Sequence, residues 1–238
     1  MHNFVFRRGS DRLNSLSQGL IVSCQAPADS PLHEPSVIAA IAQAAILNGA
    51  VGVRIDTPAH VKAVRERVKS PIIGLWKQQI PGYEVYITPQ FEHAEAIAQA
   101  GADIIAIDAT LRDRPGAETV ETLIARIHDE LGKPVMADVD TIESAIAAAA
   151  AGADIVGTTL YGYTAQTKNF APPGFDLLTQ IVEIISVPAI CEGGIASPQQ
   201  AKHALELGAY AVVVGTAITG IDYNVKMYRN VFPNSGNS

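Results

Sequence analysis

Seven short apolar runs of the sequence end in polar residues of the kinds that move protons or hold charged substrates. These are Gln25, Arg54, Lys77, Asp108, Asp138, Thr158 and Glu192, and an eighth run ends in the turn Gly215-Thr216. A lysine and two carboxylates brought to one place supply acid–base chemistry, while an amide, a guanidinium and a hydroxyl supply contacts to a polar substrate. Each residue alone also has a structural use, because a carboxylate at a strand end caps the next helix or pairs with a neighbouring cation. Arg54 beside Asp56 reads equally as an ion pair or as a ligand contact. Asp108, followed by Thr110, Arg112 and Arg114, reads as structural.

The runs that carry these residues are spaced by a repeat. Four times a helical stretch ends at Gly-Ala and an apolar run follows: at Gly49, Gly101, Gly152 and Gly208. Glycine supplies the left-handed residue that ends a helix, and a short β-branched run after it is a buried parallel strand. Four further strands are predicted at Leu20–Cys24, Ile72–Leu75, Val135–Asp138 and Ala189–Glu192, three of them introduced by Ser70-Pro71, Lys133-Pro134 or Val187-Pro188. Helical stretches alternate with them near 36–48, 57–69, 90–100, 118–131, 141–151, 174–185, 198–207 and 221–231. Ser36, Thr57, Thr141 and Ser197 are the expected N-caps, with Pro58 and Pro198 in the first turn. Eight such units in 238 residues describe a single-domain (β/α)8 TIM barrel. An open doubly wound sheet is disfavoured, since the first strand is followed by Cys24-Gln25-Ala26-Pro27 and not by a glycine-rich turn. The expected division is an extension at 1–18, the barrel at 19–232 and a tail at 233–238.

In such a barrel the strand C-termini form one mouth. Gln25, Lys77, Asp138 and Glu192 come from odd-numbered strands and form a polar ring there if each points inward, with Lys77 and Glu192 opposed across the axis. Glu192-Gly193-Gly194 after the seventh strand and Gly215-Thr216 after the eighth are turns that bring backbone N–H groups against a phosphate. A phosphorylated small molecule is therefore the expected ligand. With 24 Asp and Glu against 17 Lys and Arg, the net charge of −7 offers no general attraction for nucleic acid or anionic membranes. The longest apolar stretch, Ala145 to Ala153, is too short to span a bilayer. Arg7-Arg8 precedes no apolar segment of a secretory signal, and Cys24 and Cys191 read as thiols of a reducing cytoplasm. Six scattered histidines lack the spacing of a metal site, so no metal is expected.

The runs Gly19–Gln25, Pro71–Lys77, Tyr86–Pro89, Ile107–Thr110, Met136–Asp138, Thr158–Thr164, Cys191–Gly193 and Val213–Thr219 resemble those of the N-acylmannosamine-6-phosphate 2-epimerases. The resemblance implies interconversion of N-acetylmannosamine 6-phosphate and N-acetylglucosamine 6-phosphate in amino-sugar and sialic acid metabolism, without metal or organic cofactor. It implies a phosphorylated N-acyl amino sugar as partner, Lys77 and Glu192 as the catalytic pair, and Gln25, Arg54 and Asp138 as substrate contacts. Thr158 is added as a contact from its strand-end position, and Gly193, Gly194, Gly215 and Thr216 as phosphate contacts. Epimerisation at C2 removes a proton α to the C1 carbonyl of the open-chain sugar and returns it to the other face. Lys77 serves as base only when desolvation or nearby positive charge lowers its pKa from about 10.4 towards 7–8. Glu192 then either exchanges a proton with the sugar oxygens or works on the opposite face of C2.

Other members of that family often carry arginine where this chain has Gly194 and Gly220, so phosphate must be held by backbone amides or by a cation such as Lys168. The segment from Tyr161 to Pro173 is long enough to cover the mouth or to be a plain connector. Two other functions stay open at this level: a Schiff-base aldolase or lyase using Lys77, and a non-catalytic phosphosugar-binding barrel. The apolar helix at Ile221–Phe232 either joins two copies in a homodimer or closes the barrel.

Overall fold

The computed structural model describes residues 10–233. The outer parts of the expected extension and tail, residues 1–9 and 234–238, lie outside them. Eight strands form one closed parallel barrel in chain order: β1 (Leu20–Cys24), β2 (Gly52–Asp56), β3 (Ile72–Leu75), β4 (Ile104–Asp108), β5 (Val135–Asp138), β6 (Ile155–Gly157), β7 (Ala189–Cys191) and β8 (Ala211–Val214), with β8 pairing back onto β1. The architecture is a (β/α)8 barrel. The α-helices are α1 (Ser10–Asn14), α2 (Pro35–Leu47), α3 (Pro58–Arg65), α4 (Phe91–Gln99), α5 (Val120–Arg126), which runs on into a π-helical turn at Ile127–Leu131, α6 (Ile142–Ala150), α7 (Phe175–Ile184), α8 (Pro198–Glu206), α9 (Thr216–Thr219) and α10 (Ile221–Arg229). Among the described residues no helix is long and apolar enough to cross a membrane.

The Gly-Ala repeat has the conformation its composition calls for. Gly49, Gly101, Gly152 and Gly208 take φ of 97°, 107°, 98° and 97°, each directly after the C-cap of α2, α4, α6 or α8. Only glycine enters that region without steric cost, so each repeat ends a helix sharply and starts β2, β4, β6 or β8. Thr57, Thr141 and Ser197 accept the expected backbone N–H bonds at the starts of α3, α6 and α8. Ser36 does not cap α2. That helix begins at Pro35 with Glu34 in the cap position, because the fixed φ of proline is already helical and draws the first turn one residue earlier.

Side chains alternate between two cores. Val22, Val53, Ile72, Ile105, Val135, Val156 and Val212 face the helices, while Ile21, Ile73, Leu75, Ile104, Met136, Ile155, Ile190 and Val213 fill the barrel. Residues 10–18 are not a free extension. Leu13 and Leu16 are fully buried in the inner cluster and make the floor of the barrel. The Tyr210 hydroxyl donates to the Leu13 carbonyl at 3.0 Å, and Arg12 ties α1 to Asp103 at 3.3 Å and to the Lys69 carbonyl at 2.6 Å.

Candidate active site

Period-two alternation carries the inner face upward from its apolar floor to polar residues at the strand C-termini. From Ile73 and Leu75 the next inward position past β3 is Lys77. Its backbone is held on both sides: an antiparallel bridge joins it to Ile87, Gln78 N–H donates to the Tyr86 carbonyl at 2.8 Å, and Lys77 N–H donates to Asp56 Oδ1 at 3.0 Å. The Lys77 ammonium donates to Gln25 Oε1 at 2.5 Å, so the amide of β1 fixes where the amine points. The side chain remains reachable from the open mouth, yet the strand ends crowd its ammonium. Loss of water pushes its pKa below the usual lysine range; Asp56, Glu192 and Asp138 oppose this and Arg54 reinforces it.

Below Lys77 lies a buried ionic cluster. Arg54 does not pair with Asp56. Its side chain, 1% exposed as a residue, crosses the barrel and grips Asp138 with two bonds, Nη2 to Oδ2 at 2.6 Å and Nη1 to Oδ1 at 3.0 Å. Nη1 also stands 3.0 Å from Glu192 Oε2, an ion pair without the alignment of a hydrogen bond. Burial acts to lower the Arg54 pKa, but the two carboxylates outweigh it and the guanidinium is held firmly charged. Its Nε has no partner in the described structure. For Glu192, burial dominates and Asp138 adds to it, while Arg54, Thr159 and Lys77 oppose, and the acid is pushed up to about 7. An amine with a depressed pKa and a carboxyl with a raised one thus stand at the same end of the barrel, contributed by opposite strands.

The sequence reading placed the hydroxyl of β6 one residue too early. Thr158 is fully buried, and its Oγ1 donates to the Glu192 carbonyl at 2.8 Å and accepts from the Glu192 N–H at 3.1 Å. It pins the backbone of Glu192, and its one proton is already committed there. Thr159 points inward instead, donating to Asp138 Oδ1 at 2.6 Å with Glu192 Oε2 3.3 Å away. The signal was present: Ile155 belongs to the inner cluster, so 157 and 159 share its face and 158 does not. Tyr86 was also missed. Burial, then the charges of Asp138 and Asp108, push its hydroxyl up to about 12. Nothing in its spacing marks it. Asp108 is occupied as a structural residue, accepting from Thr110 Oγ1 at 2.7 Å and Arg112 Nη2 at 2.7 Å.

Beyond Glu192 the chain turns through Gly193 and Gly194 at φ of 98° and 71°. Gly194 is packed so closely that a Cβ would lie 2.5 Å from Pro172 Cβ, so no side chain fits there on this backbone. A Cβ at Gly220 would meet the Thr216 carbonyl at 2.7 Å. Gly215 leads into α9, and its carbonyl accepts the N–H groups of Ile218 and Thr219. The segment from Tyr161 to Pro173 is a fixed wall beside this turn. Thr164 donates to buried Asp140 at 2.7 Å, Thr167 lies 2.9 Å from Thr164, and Tyr161 stacks on Phe170 at 5.7 Å. Lys168 is exposed on that wall. Among the described residues no group of three or more His, Cys, Asp or Glu is placed to hold a metal ion.

Comparison with known proteins places this chain in a family. Residues 38–233 match the NanE family model, described as "Putative N-acetylmannosamine-6-phosphate epimerase". Two relatives named "Putative N-acetylmannosamine-6-phosphate 2-epimerase" are from Thermosynechococcus vestitus, 66% identical over 88% of this chain and 91% of that protein, and from Synechococcus elongatus, 62% identical over 91% and 94%. A solved structure of the N-acetylmannosamine-6-phosphate 2-epimerase from Clostridium perfringens superposes with a TM-score of 0.89 at 37% identity, covering 98% of this chain and 99% of that one.

Proposed function

The chain belongs to the N-acetylmannosamine-6-phosphate epimerase family, and from that premise we propose that Lys77 and Glu192 carry the proton transfers of its reaction. It is an epimerase of N-acetylmannosamine 6-phosphate, inverting C2 to give N-acetylglucosamine 6-phosphate. The observation that carries the residue assignment is the opposed pair of shifts: an amine made easier to deprotonate and a carboxyl made harder to ionise, from opposite strands of one mouth. Neutral Lys77 takes the C2 proton from the open-chain sugar, and Glu192 exchanges a proton with the sugar oxygens as negative charge develops there. Gln25 holds the amine in place. Arg54 and Asp138 orient Glu192 and the polar groups of the sugar, and the backbone N–H groups of Gly193, Gly194, Gly215 and Thr216 receive the phosphate. Left-handed φ at two successive glycines supports a turn whose backbone amides can approach a phosphate. Two free, buried thiols, Cys24 and Cys191, are in keeping with a cytoplasmic setting.

The test is incubation with N-acetylmannosamine 6-phosphate in deuterated water followed by NMR. The expected product is N-acetylglucosamine 6-phosphate carrying deuterium at C2. Bound but unchanged substrate, or a borohydride-trapped adduct at Lys77, overturns the assignment.

We also propose a homodimer. No side chain of α10 is fully buried, and Ile221, Val225 and Tyr228, continued by Phe232 just past the helix, line one stripe at 53–74% exposure. Helical spacing of four apolar residues on one uncovered face is the pattern of an isologous contact between two copies. Sedimentation should therefore give a dimer, and Tyr228→Asp should shift it to the monomer. A wild-type monomer at every concentration refutes the reading.

A further inference from the structure

Thr159 is the residue of the site that the opposed pair leaves unexplained. Its Oγ1 lies 2.6 Å from Asp138 Oδ1 and 3.3 Å from Glu192 Oε2, and a hydroxyl has only one proton to give. Both carboxylates are also bound to the single guanidinium of Arg54. Two carboxyls therefore share one guanidinium and one hydroxyl in a buried place. We propose that Thr159 is a positioning residue whose hydroxyl links Glu192 to Asp138 and lets one proton be shared between them during the reaction.

The step balances without any further reactant. When Glu192 is neutral, its O–H donates to Thr159 Oγ1 while the Thr159 O–H donates to Asp138 Oδ1. Moving both protons along these two bonds leaves Glu192 anionic, Thr159 again a hydroxyl and Asp138 neutral, with no change in net charge. Arg54 touches both carboxylates, so the negative charge moves without leaving the guanidinium. Glu192 can then accept a proton from a sugar oxygen and return it later, with Asp138 as the reservoir.

The local packing is arranged around this hydroxyl. Gly157 lies below it, where a Cβ would meet Met136 Cε at 2.5 Å, Thr159 Oγ1 at 3.1 Å and Asp138 Oδ1 at 3.3 Å. The neighbouring Thr158 fixes the backbone of Glu192 from the other side, so the distance between Thr159 and the Glu192 carboxyl is set by both residues. The charged and titratable groups that act on Glu192 are Arg54 from β2, Lys77 from the end of β3, Asp138 from β5, Tyr163 from the segment after β6, and its own neighbour Cys191. Of the hydroxyls around it, Thr159 is the one that bonds to the carboxyls of both Glu192 and Asp138.

This inference rests on Glu192 acting as acid and base, and the loss of epimerisation expected in Glu192→Gln tests that assignment separately. The experiment here compares wild type with Thr159→Val, Thr159→Ser and Thr159→Ala in the epimerisation assay across pH, with thermal melting as the check of folding. Thr159→Val keeps the shape and removes the donor. A lost bond to a buried charged group corresponds to a fall in kcat of about 10- to 100-fold with KM little changed. Its loss also removes the link between the two carboxyls, so the pH limb that belongs to Glu192 should move. Thr159→Ser should restore both rate and profile. Should the valine variant not fold, the alanine variant is read in the same way. A folded variant lacking the hydroxyl with an unmoved pH limb, or a folded serine variant that restores neither quantity, overturns the proposal.

Discussion

Replacing Lys77 with methionine should lower kcat by roughly 10^2- to 10^4-fold, the usual contribution of a positioned base, and should abolish incorporation of deuterium at C2. Methionine keeps an unbranched stem of similar length and removes the amine, so the loss reports on proton transfer and not on packing. The bond from Nζ to Gln25 disappears with it. KM should change little, because a base that acts on the C2 proton contributes mainly in the transition state. The wild-type rate should fall on the acid side as the amine takes a proton. Burial lowers the Lys77 pKa, so that fall should be centred below the ordinary lysine range. Rate measurements across pH on both proteins check each point, and a Lys77→Met enzyme that still exchanges C2 at the wild-type rate disproves the assignment.

The largest effect on stability belongs to Arg54. Removing one partner of a buried ion pair leaves the other charge uncompensated and typically costs about 3–5 kcal/mol. Arg54→Met leaves two carboxylates in that condition, Asp138 fully buried and Glu192 8% exposed. Chemical denaturation at neutral pH should show a loss of that order, and the loss should shrink as the pH falls and the carboxyls take up protons. The sign for the wild type follows from the same group. Glu192 is pushed up to about 7 in the folded chain against 4.5 for the free acid, so the folded state binds more protons between those values. Its contribution to stability is fully present below about 4.5 and is lost as the pH rises through about 7. In Arg54→Met the guanidinium no longer opposes that shift, so the upper end of the window should move further up. Equal stability of the two proteins at pH 7 contradicts the account.

Much of the fold was legible because its signals are local. Gly49, Gly101, Gly152 and Gly208 had to be left-handed to end their helices, and they are. Proline before β3, β5 and β7 marked the other strand starts, leaving β1 to its own apolar run. What could not be read was set by distance across the barrel. Arg54 and Asp56 are neighbours in sequence, yet the arginine finds Asp138 and Glu192, because a long side chain on an inward position reaches across the interior before it reaches along its own strand. The floor formed by Leu13 and Leu16 had no periodic signal, since α1 has only five residues. Thr159 was within reach of the alternation that begins at Ile155, and was missed because the strand end was read as its last polar residue and not by parity.

The contact between Gly194 and Pro172 also restricts the order in which this chain can change. A Cβ at 194 lies 2.5 Å from one proline atom and 3.0 Å from its carbonyl carbon, and the glycine sits at a φ of 71° that disfavours any side chain. A substitution at 194 is therefore accepted only after the wall carrying residue 172 has moved. The two positions, on separate loops, form an epistatic pair in which the backbone at 172 must move before 194 can carry a side chain.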